Sequence, residues 1–209
     1  MKPIASLAIL LALLAAALAP ISASRRAIAY PQPEVVPTIW LLDFSFDQPR
    51  LIPVADLRGN LRWYWYLTYK VVNNTQAEQL LIPEFSIATD RGDILEAFDG
   101  VPSNVFDAIK AEVGNDLLEN PTQMIGRILR GQDHARESVA VWPAFEHDVD
   151  LMSVFVAGLS GETRNVPHPV TGEPIVMRRT LMLDFATPGT TSPSRAPLIH
   201  LQSRRWVMR

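Results

Sequence analysis

Cysteine is absent from this chain of 209 residues. Disulfide bonds are therefore excluded, and so is a lipoprotein anchor through an N-terminal cysteine. A secreted domain of a eukaryote would often carry disulfide bonds. If the chain is exported, the absence of cysteine favours a bacterial envelope or exported protein.

Basic residues are few relative to acidic ones. Residues 1–29 hold three basic residues and no acidic one, so the chain from Tyr30 keeps 16 Lys and Arg against 22 Asp and Glu, a net charge of −6. Nucleic-acid binding depends on clustered lysine and arginine side chains that contact phosphates. The charge balance therefore argues against a nucleic-acid partner.

No apolar run is long enough to span a bilayer. The longest, Ile4 to Leu18, has about 15 residues, whereas a spanning helix needs roughly 20. The run follows a lysine and precedes Pro20 and small residues, a pattern that predicts a secretory signal peptide over residues 1–29. Cleavage after Ala23 or after Ala29 fits this pattern, and an uncleaved membrane anchor is the alternative. The sequence thus predicts export to the periplasm, the cell envelope or the extracellular space.

One aromatic stretch, Leu61 to Thr75, predicts a central β-strand. Its sequence is LRWYWYLTYKVVNNT, rich in aromatic and β-branched residues that suit a pleated sheet. Side chains alternate between the two faces of a strand. The face predicted to be buried is apolar throughout and carries Trp63, Trp65, Leu67, Tyr69 and Val71, whereas the opposite face carries Tyr64, Tyr66, Thr68, Lys70 and Val72.

The rest of the chain predicts further strands separated by turns. Asn73 and Asn74 favour a tight turn, so Leu80 to Thr89 is expected to form a hairpin with the central stretch. Residues 158–172 and 187–197 are expected to be loops. The other predicted strands are Thr38–Asp47, Arg50–Leu57, Ile94–Phe98, Ser138–Trp142, Val149–Ala157, Ile175–Phe185 and Leu198–Met208.

A helical segment interrupts this pattern. Ser103 is expected to cap a helix that ends at Gly114, within a mainly helical insertion over residues 100–132. Many predicted strands that are separated by turns, together with this one helical insertion, predict a mainly β fold, an antiparallel β-sandwich. Residues 30–209 are expected to form one such domain.

Several polar motifs are candidates for sites of chemistry. Residues 146–150 (EHDVD) could offer ligands to a divalent ion, but neighbours in a strand point to opposite faces, so a solvated turn is the preferred interpretation. Gly158-Leu-Ser-Gly resembles a nucleophile elbow, but Glu162 stands where G-x-S-x-G requires glycine. The carboxylates of Asp90 and Asp93 flank a turn glycine. The four histidines show no metal-ligand spacing. The sequence predicts no catalytic residue, no metal site and no cofactor.

Tyr64 and Tyr66 lie on the face opposite the tryptophans. If that face is exposed, the two rings form a platform on which a sugar could stack. If the helical insertion covers the face, the rings belong to a second core. Both interpretations stay open at the level of sequence.

A family resemblance is carried by two adjacent segments. Tyr69 to Thr75 (YKVVNNT) and Pro83 to Gly92 (PEFSIATDRG) resemble the strands of exported bacterial immunoglobulin-like domains. The chain from Tyr30 is similar to uncharacterised exported proteins of planctomycete-like bacteria. The resemblance implies an immunoglobulin-like sandwich and export, and it implies no activity. Further agreeing segments are Ala140–Trp142, Phe155–Ser160 and Trp206–Arg209.

These observations lead to two functional hypotheses. The first is a non-enzymatic, exported β-sandwich that binds a protein or a cell-envelope component. The second is a carbohydrate-binding module whose tentative ligand-binding residues are Tyr64 and Tyr66. A membrane is expected as a partner only if the N-terminal segment is not cleaved.

Overall fold

The computed structural model describes residues 40–56, 58–145, 148–187 and 199–209. The predicted signal peptide, Glu146 and His147 lie outside these ranges. Helix α1 spans Ser103–Val113, and a 3-10 turn spans Gln132–His134. The strands of the described ranges are β1 (Asp43–Phe46), β2 (Arg50–Ala55), β3 (Leu61–Val72), β4 (Gln79–Leu81), β5 (Glu84–Thr89), β6 (Ile94–Glu96), β7 (Gly126–Ile128), β8 (Arg136–Pro143), β9 (Leu151–Ala157), β10 (Thr163–Pro167), β11 (Pro174–Ala186) and β12 (His200–Met208).

The predicted central strand is the centre of the first sheet. Along one side of β3, β2 pairs with its first half and β1 with its last residues, while β8 pairs along the other side. All these pairings are antiparallel. Pro53 lies in β2, where it is tolerated because β2 is an edge strand with one side free of ladder hydrogen bonds.

The second sheet contains β5, β6, β9, β10, β11 and β12. Strand β9 lies between β5 and β11, and β12 pairs with the opposite side of β11. Side chains of both sheets share one core, as the two layers of a β-sandwich do. The predicted fold class, mainly β and antiparallel with a short helical insertion, is confirmed.

The predicted hairpin between Leu61–Thr75 and Leu80–Thr89 is wrong. The segment Leu80–Thr89 lies in two strands, and neither pairs with β3: β4 pairs with β7, and β5 belongs to the second sheet and pairs with β9. The break falls at Pro83, which has no N–H for a ladder. Gly158 packs against the chain there, because a Cβ on this residue would lie 1.9 Å from the carbonyl oxygen of Ile82.

Two shorter expectations are also corrected. Residues 158–172 are not all loop, because β10 forms a hairpin with the first part of β11. The 100–132 segment contains β7 as well as the helix. Ser103 does not cap helix α1: it is the first helical residue, Pro102 occupies the capping position, and no side chain caps the first turn. Gly114 ends the helix in the left-handed conformation, as predicted.

The main core lies between the two sheets. The predicted inward face of β3 contributes Trp65, Leu67, Tyr69 and Val71, all buried in one cluster with side chains of β5, β9 and β11. The Tyr69 and Phe85 rings, from opposite sheets, have centroids 4.6 Å apart. The predicted face is therefore packed between the sheets from Trp65 onward, whereas Trp63, which was also predicted to be buried, is only half-buried.

Candidate functional site

The outer face of β3 forms a second core rather than an exposed platform. Tyr64 and Tyr66 are 4% and 1% exposed and cluster with Val105 and Ile109 of helix α1. The Tyr66 hydroxyl donates a hydrogen bond to Glu112 over 3.1 Å. Burial, and next the nearby Glu112 carboxylate, raise the pKa of Tyr66. The interpretation of these two residues as an exposed sugar-binding surface is therefore incorrect.

The motif around Ser160 has a local structural role. The Ser160 hydroxyl donates to the carbonyl oxygen of Trp40 over 3.2 Å and accepts the N–H of Glu162 over 3.1 Å. The first contact holds the chain between β9 and β10 against the segment that leads into β1, and the second is local to that connection. Ser160 thus ties this connection to the chain near Leu41, with which it forms an antiparallel bridge.

The other polar candidates also lie in turns. Asp93 accepts a hydrogen bond from the Thr89 hydroxyl over 2.8 Å, which closes the turn between β5 and β6. Nδ1 of His168 accepts two backbone N–H groups in the turn between β10 and β11. Asp148 and Asp150 are exposed. Within the described ranges, no three His, Cys, Asp or Glu side chains come together as metal ligands would.

One buried ion pair joins Arg179 of β11 to Glu162. Arg179 is 9% exposed, and its guanidinium lies 3.0 Å from a carboxylate oxygen of Glu162 and 4.8 Å from the ring centroid of Trp206. Breaking such a buried pair leaves an uncompensated charge. The pair therefore fastens β11 to the segment that joins β9 to β10.

A polar cluster lies on the outer face of the second sheet. Both oxygens of the buried Asp184 carboxylate accept a serine hydroxyl at 2.6 Å, one from Ser153 and the other from Ser203. Arg205 reaches the same carboxylate at 3.3 Å. Neighbouring strands β9, β11 and β12 each supply a member, so the cluster links three strands across the sheet.

The two-stranded sheet of β4 and β7 presents an unusual surface. Leu81 and Ile128 point inward and are fully buried. The alternate positions point outward and carry exposed aliphatic side chains, which we call the ribbon face. Its members are Leu80, Ile82, Ile125 and Leu129, which are 57%, 40%, 56% and 42% exposed.

The ribbon face includes one ion pair and adjoins a groove. Glu78 and Arg127 lie 3.4 Å apart, and both side chains are well exposed. Ile125 is shared with a neighbouring groove of about 260 Å³, whose apolar walls include Pro83, Phe98 and Pro121. Together they form a continuous, mainly apolar surface at the end of β3.

Phe98 forms a rigid wall of that groove. Its φ angle is 67°, and it is the one non-glycine residue at positive φ in the part of the chain that the structure describes. Such a backbone is strained for a bulky residue and persists only where surrounding contacts hold it. The Phe98 N–H donates to the carbonyl oxygen of Val141 over 2.8 Å, and the ring packs on the second core.

The sequence predicted Leu80 as part of a longer strand and did not single out the ribbon face. In the segments QLLIP and MIGRIL, apolar residues occupy both faces of the strands. Alternation therefore could not tell which residues are covered. The sequence carries one signal for the ribbon: Pro83 and Gly126 limit the length of the two strands.

Comparison with protein-family models, with curated proteins and with solved structures gives no match to this chain. In residues 40–56, 58–145, 148–187 and 199–209, no helix has the length and the apolar character that crossing a membrane requires. The functional argument therefore rests on the surfaces described above.

Proposed function

We propose that the protein is an exported, non-enzymatic binding module that engages a protein at the cell envelope through the ribbon face. The carrying observation is the set of four aliphatic side chains that the β4–β7 ribbon exposes on one side. Contiguous exposed apolar surface rimmed by polar groups is typical of a protein-interaction site. The Glu78–Arg127 pair supplies such polar groups.

The energetics of the ribbon face support this role. Apolar surface gains about 25 cal/mol for each Å² removed from water. Leu80 and Ile125 are each more than half exposed, so folding alone leaves much of that gain unrealised. A protein partner that covers the face would recover it. Export is supported by the N-terminal sequence pattern, and the proposal includes neither a nucleic acid nor a cofactor.

Polar groups in the described ranges also favour binding over chemistry. The Arg179–Glu162 pair and the Asp184 cluster link strands of the fold through contacts among their own side chains. These groups support a scaffold role for the sandwich, with the interaction surface placed on the ribbon.

Site-specific photo-crosslinking in the organism that encodes the chain tests this proposal. A benzoylphenylalanine at position 82 should give a discrete crosslinked adduct, because the side chain there lies on the ribbon face. Leu61 is the matched control: it is 67% exposed, and it begins β3, whereas the ribbon follows the other end of that strand. The same probe at position 61 should give no adduct.

A second variant shows whether the adduct depends on the surface. This variant combines Leu80→Asp with the probe at position 82, so that a charge lies within the apolar patch. The substitution should abolish the adduct and leave the unfolding midpoint nearly unchanged. Equal adducts from positions 82 and 61, or an adduct insensitive to Leu80→Asp, would contradict the proposed role of this face.

A further inference from the structure

We infer that the ribbon face binds a second copy of the same chain, in a two-fold symmetric contact. This inference rests on the proposed binding role of that face and names its partner. Most soluble homo-oligomers are closed two-fold dimers, in which the same patch of each copy meets its counterpart. The ribbon face has the two properties that such a contact needs: apolar side chains and charges that complement themselves.

The strand register defines how two ribbons can meet. Leu80 is paired with Arg127 and Leu81 with Gly126 across the ribbon, and Ile82 and Ile125 follow this ladder at the next position of each chain segment. A two-fold axis parallel to the strands, between the two ribbons, places Ile82 over Ile125 of the second copy. The same axis places Leu80 over the aliphatic stem of the second copy's Arg127. The axis thus brings apolar surface together at Ile82, Ile125 and Leu80, whereas Leu129 lies opposite Glu78 of the second copy.

The charges of the face fit the same arrangement. Glu78 precedes Leu80 by one outward position on β4, so its carboxylate lies one step along the strand from the second copy's Arg127. The Arg127 side chain is 79% exposed, which leaves it free to reach across while still near its own Glu78. Each face carries one acid and one base, so two copies pair opposite charges twice.

The charge of the rest of the molecule favours this location. The chain from Tyr30 has a net charge of −6, so two copies repel one another over most relative orientations. The ribbon face is neutral, and it combines this neutrality with exposed aliphatic surface. Its four aliphatic residues form a smaller patch than the roughly 800 Å² per partner of a standard interface. The expected dimer is therefore weak and dependent on concentration.

Sedimentation velocity of the full chain, as the exporting host processes it, tests the inference. The wild type should shift from monomer to dimer between about 1 and 500 µM, a range suited to a small interface. Leu80→Asp should remain monomeric throughout. Leu61→Asp, the matched exposed control, should dimerise as the wild type does.

A charge exchange tests the register itself. Arg127→Glu brings like charges together and should raise the dimer Kd about tenfold or more. Glu78→Arg combined with Arg127→Glu restores opposite charges in both copies and should return the Kd to within about threefold of the wild type. Recovery in the double variant is an outcome that a simple loss of folding cannot produce.

The outcomes separate this inference from the proposed function. A wild type that stays monomeric at every concentration, with a crosslink from position 82 to a different protein, overturns the self-association and leaves the binding role standing. A crosslinked adduct of twice the chain mass supports both. A dimer that is unaffected by Leu80→Asp or by Arg127→Glu overturns the ribbon contact.

Discussion

Replacing Trp65 by alanine is expected to lower the free energy of unfolding more than truncation of any other core residue of β3. The side chain is 1% exposed and lies in the cluster between the two sheets. Its ring centroid is 5.9 Å from that of Phe145, and its register partners are Leu51 on one side and Trp142 on the other. Alanine would leave a void that these neighbours, fixed by two strand ladders, cannot fill.

The magnitude follows from the buried area. An indole buries about 200 Å² of mainly apolar surface, which at about 25 cal/mol per Å² corresponds to about 5 kcal/mol as an upper value. Truncation of a core tryptophan to alanine typically costs about 3–5 kcal/mol. Because domains of this size are stable by about 5–15 kcal/mol, the variant should still fold, with a much lower midpoint.

Urea unfolding followed by far-UV circular dichroism provides the measurement, since the substitution removes one of five tryptophans and alters the fluorescence signal. Leu61→Ala is the control, because Leu61 begins the same strand but is 67% exposed, and its cost should stay within about 0.5 kcal/mol. A loss below about 1 kcal/mol for Trp65→Ala would refute the assignment of this face to the core.

Two further predictions address the backbone and the buried phenols. Gly158→Ala should lower the free energy of unfolding in urea by at least about 2 kcal/mol more than Gly172→Ala does. Both glycines have positive φ, but only at Gly158 would a Cβ clash with the Ile82 carbonyl oxygen. Equal losses for the two variants would contradict this close approach. Burial raises the pKa of Tyr69 and of Tyr66 in the folded protein. The stability that the two neutral phenols contribute is therefore complete below about pH 10, the pKa of tyrosine in the unfolded chain, and is lost as the pH rises above that value. Absorbance at 295 nm should therefore show two tyrosines that ionise at a higher pH than free tyrosine does, and ionisation of all tyrosines near pH 10 in the native state would be inconsistent with their burial.

The inward face of β3 could be predicted because the alternation of apolar side chains along a strand involves only neighbouring residues. Trp65, Leu67 and Tyr69 alternate with period two, and one face of the stretch is apolar throughout. Pro53 indicated an edge strand for the same local reason, since proline lacks an N–H. Gly114 indicated the end of the helix, because glycine adopts the left-handed conformation without strain.

Strand pairing could not be read in the same way. The turn at Asn73 is real, but its side chain donates hydrogen bonds to the carbonyl oxygens of Ala77 and Ile128 and accepts one from the N–H of Thr75. These contacts direct the chain into β4 and the ribbon instead of back along β3. A turn signal predicts a change of direction, whereas the choice of the next neighbour depends on residues about 55 positions away.

The status of Tyr64 and Tyr66 depended on packing. An amphipathic strand face looks the same in sequence whether water or a helix covers it. Here Val105 and Ile109 of helix α1 cover it. The ribbon face is the reverse case, because Leu80 and Ile125 look like core residues and are exposed.

The sequence by itself determined the mainly β fold, the inward face of the central strand and the position of the helix, because alternation, proline and glycine act over a few neighbouring residues. Only the tertiary structure decided which strands pair, which tyrosines are covered and where aliphatic side chains stay in contact with water. Those outcomes depend on which distant segments occupy the same space, and no local pattern encodes that.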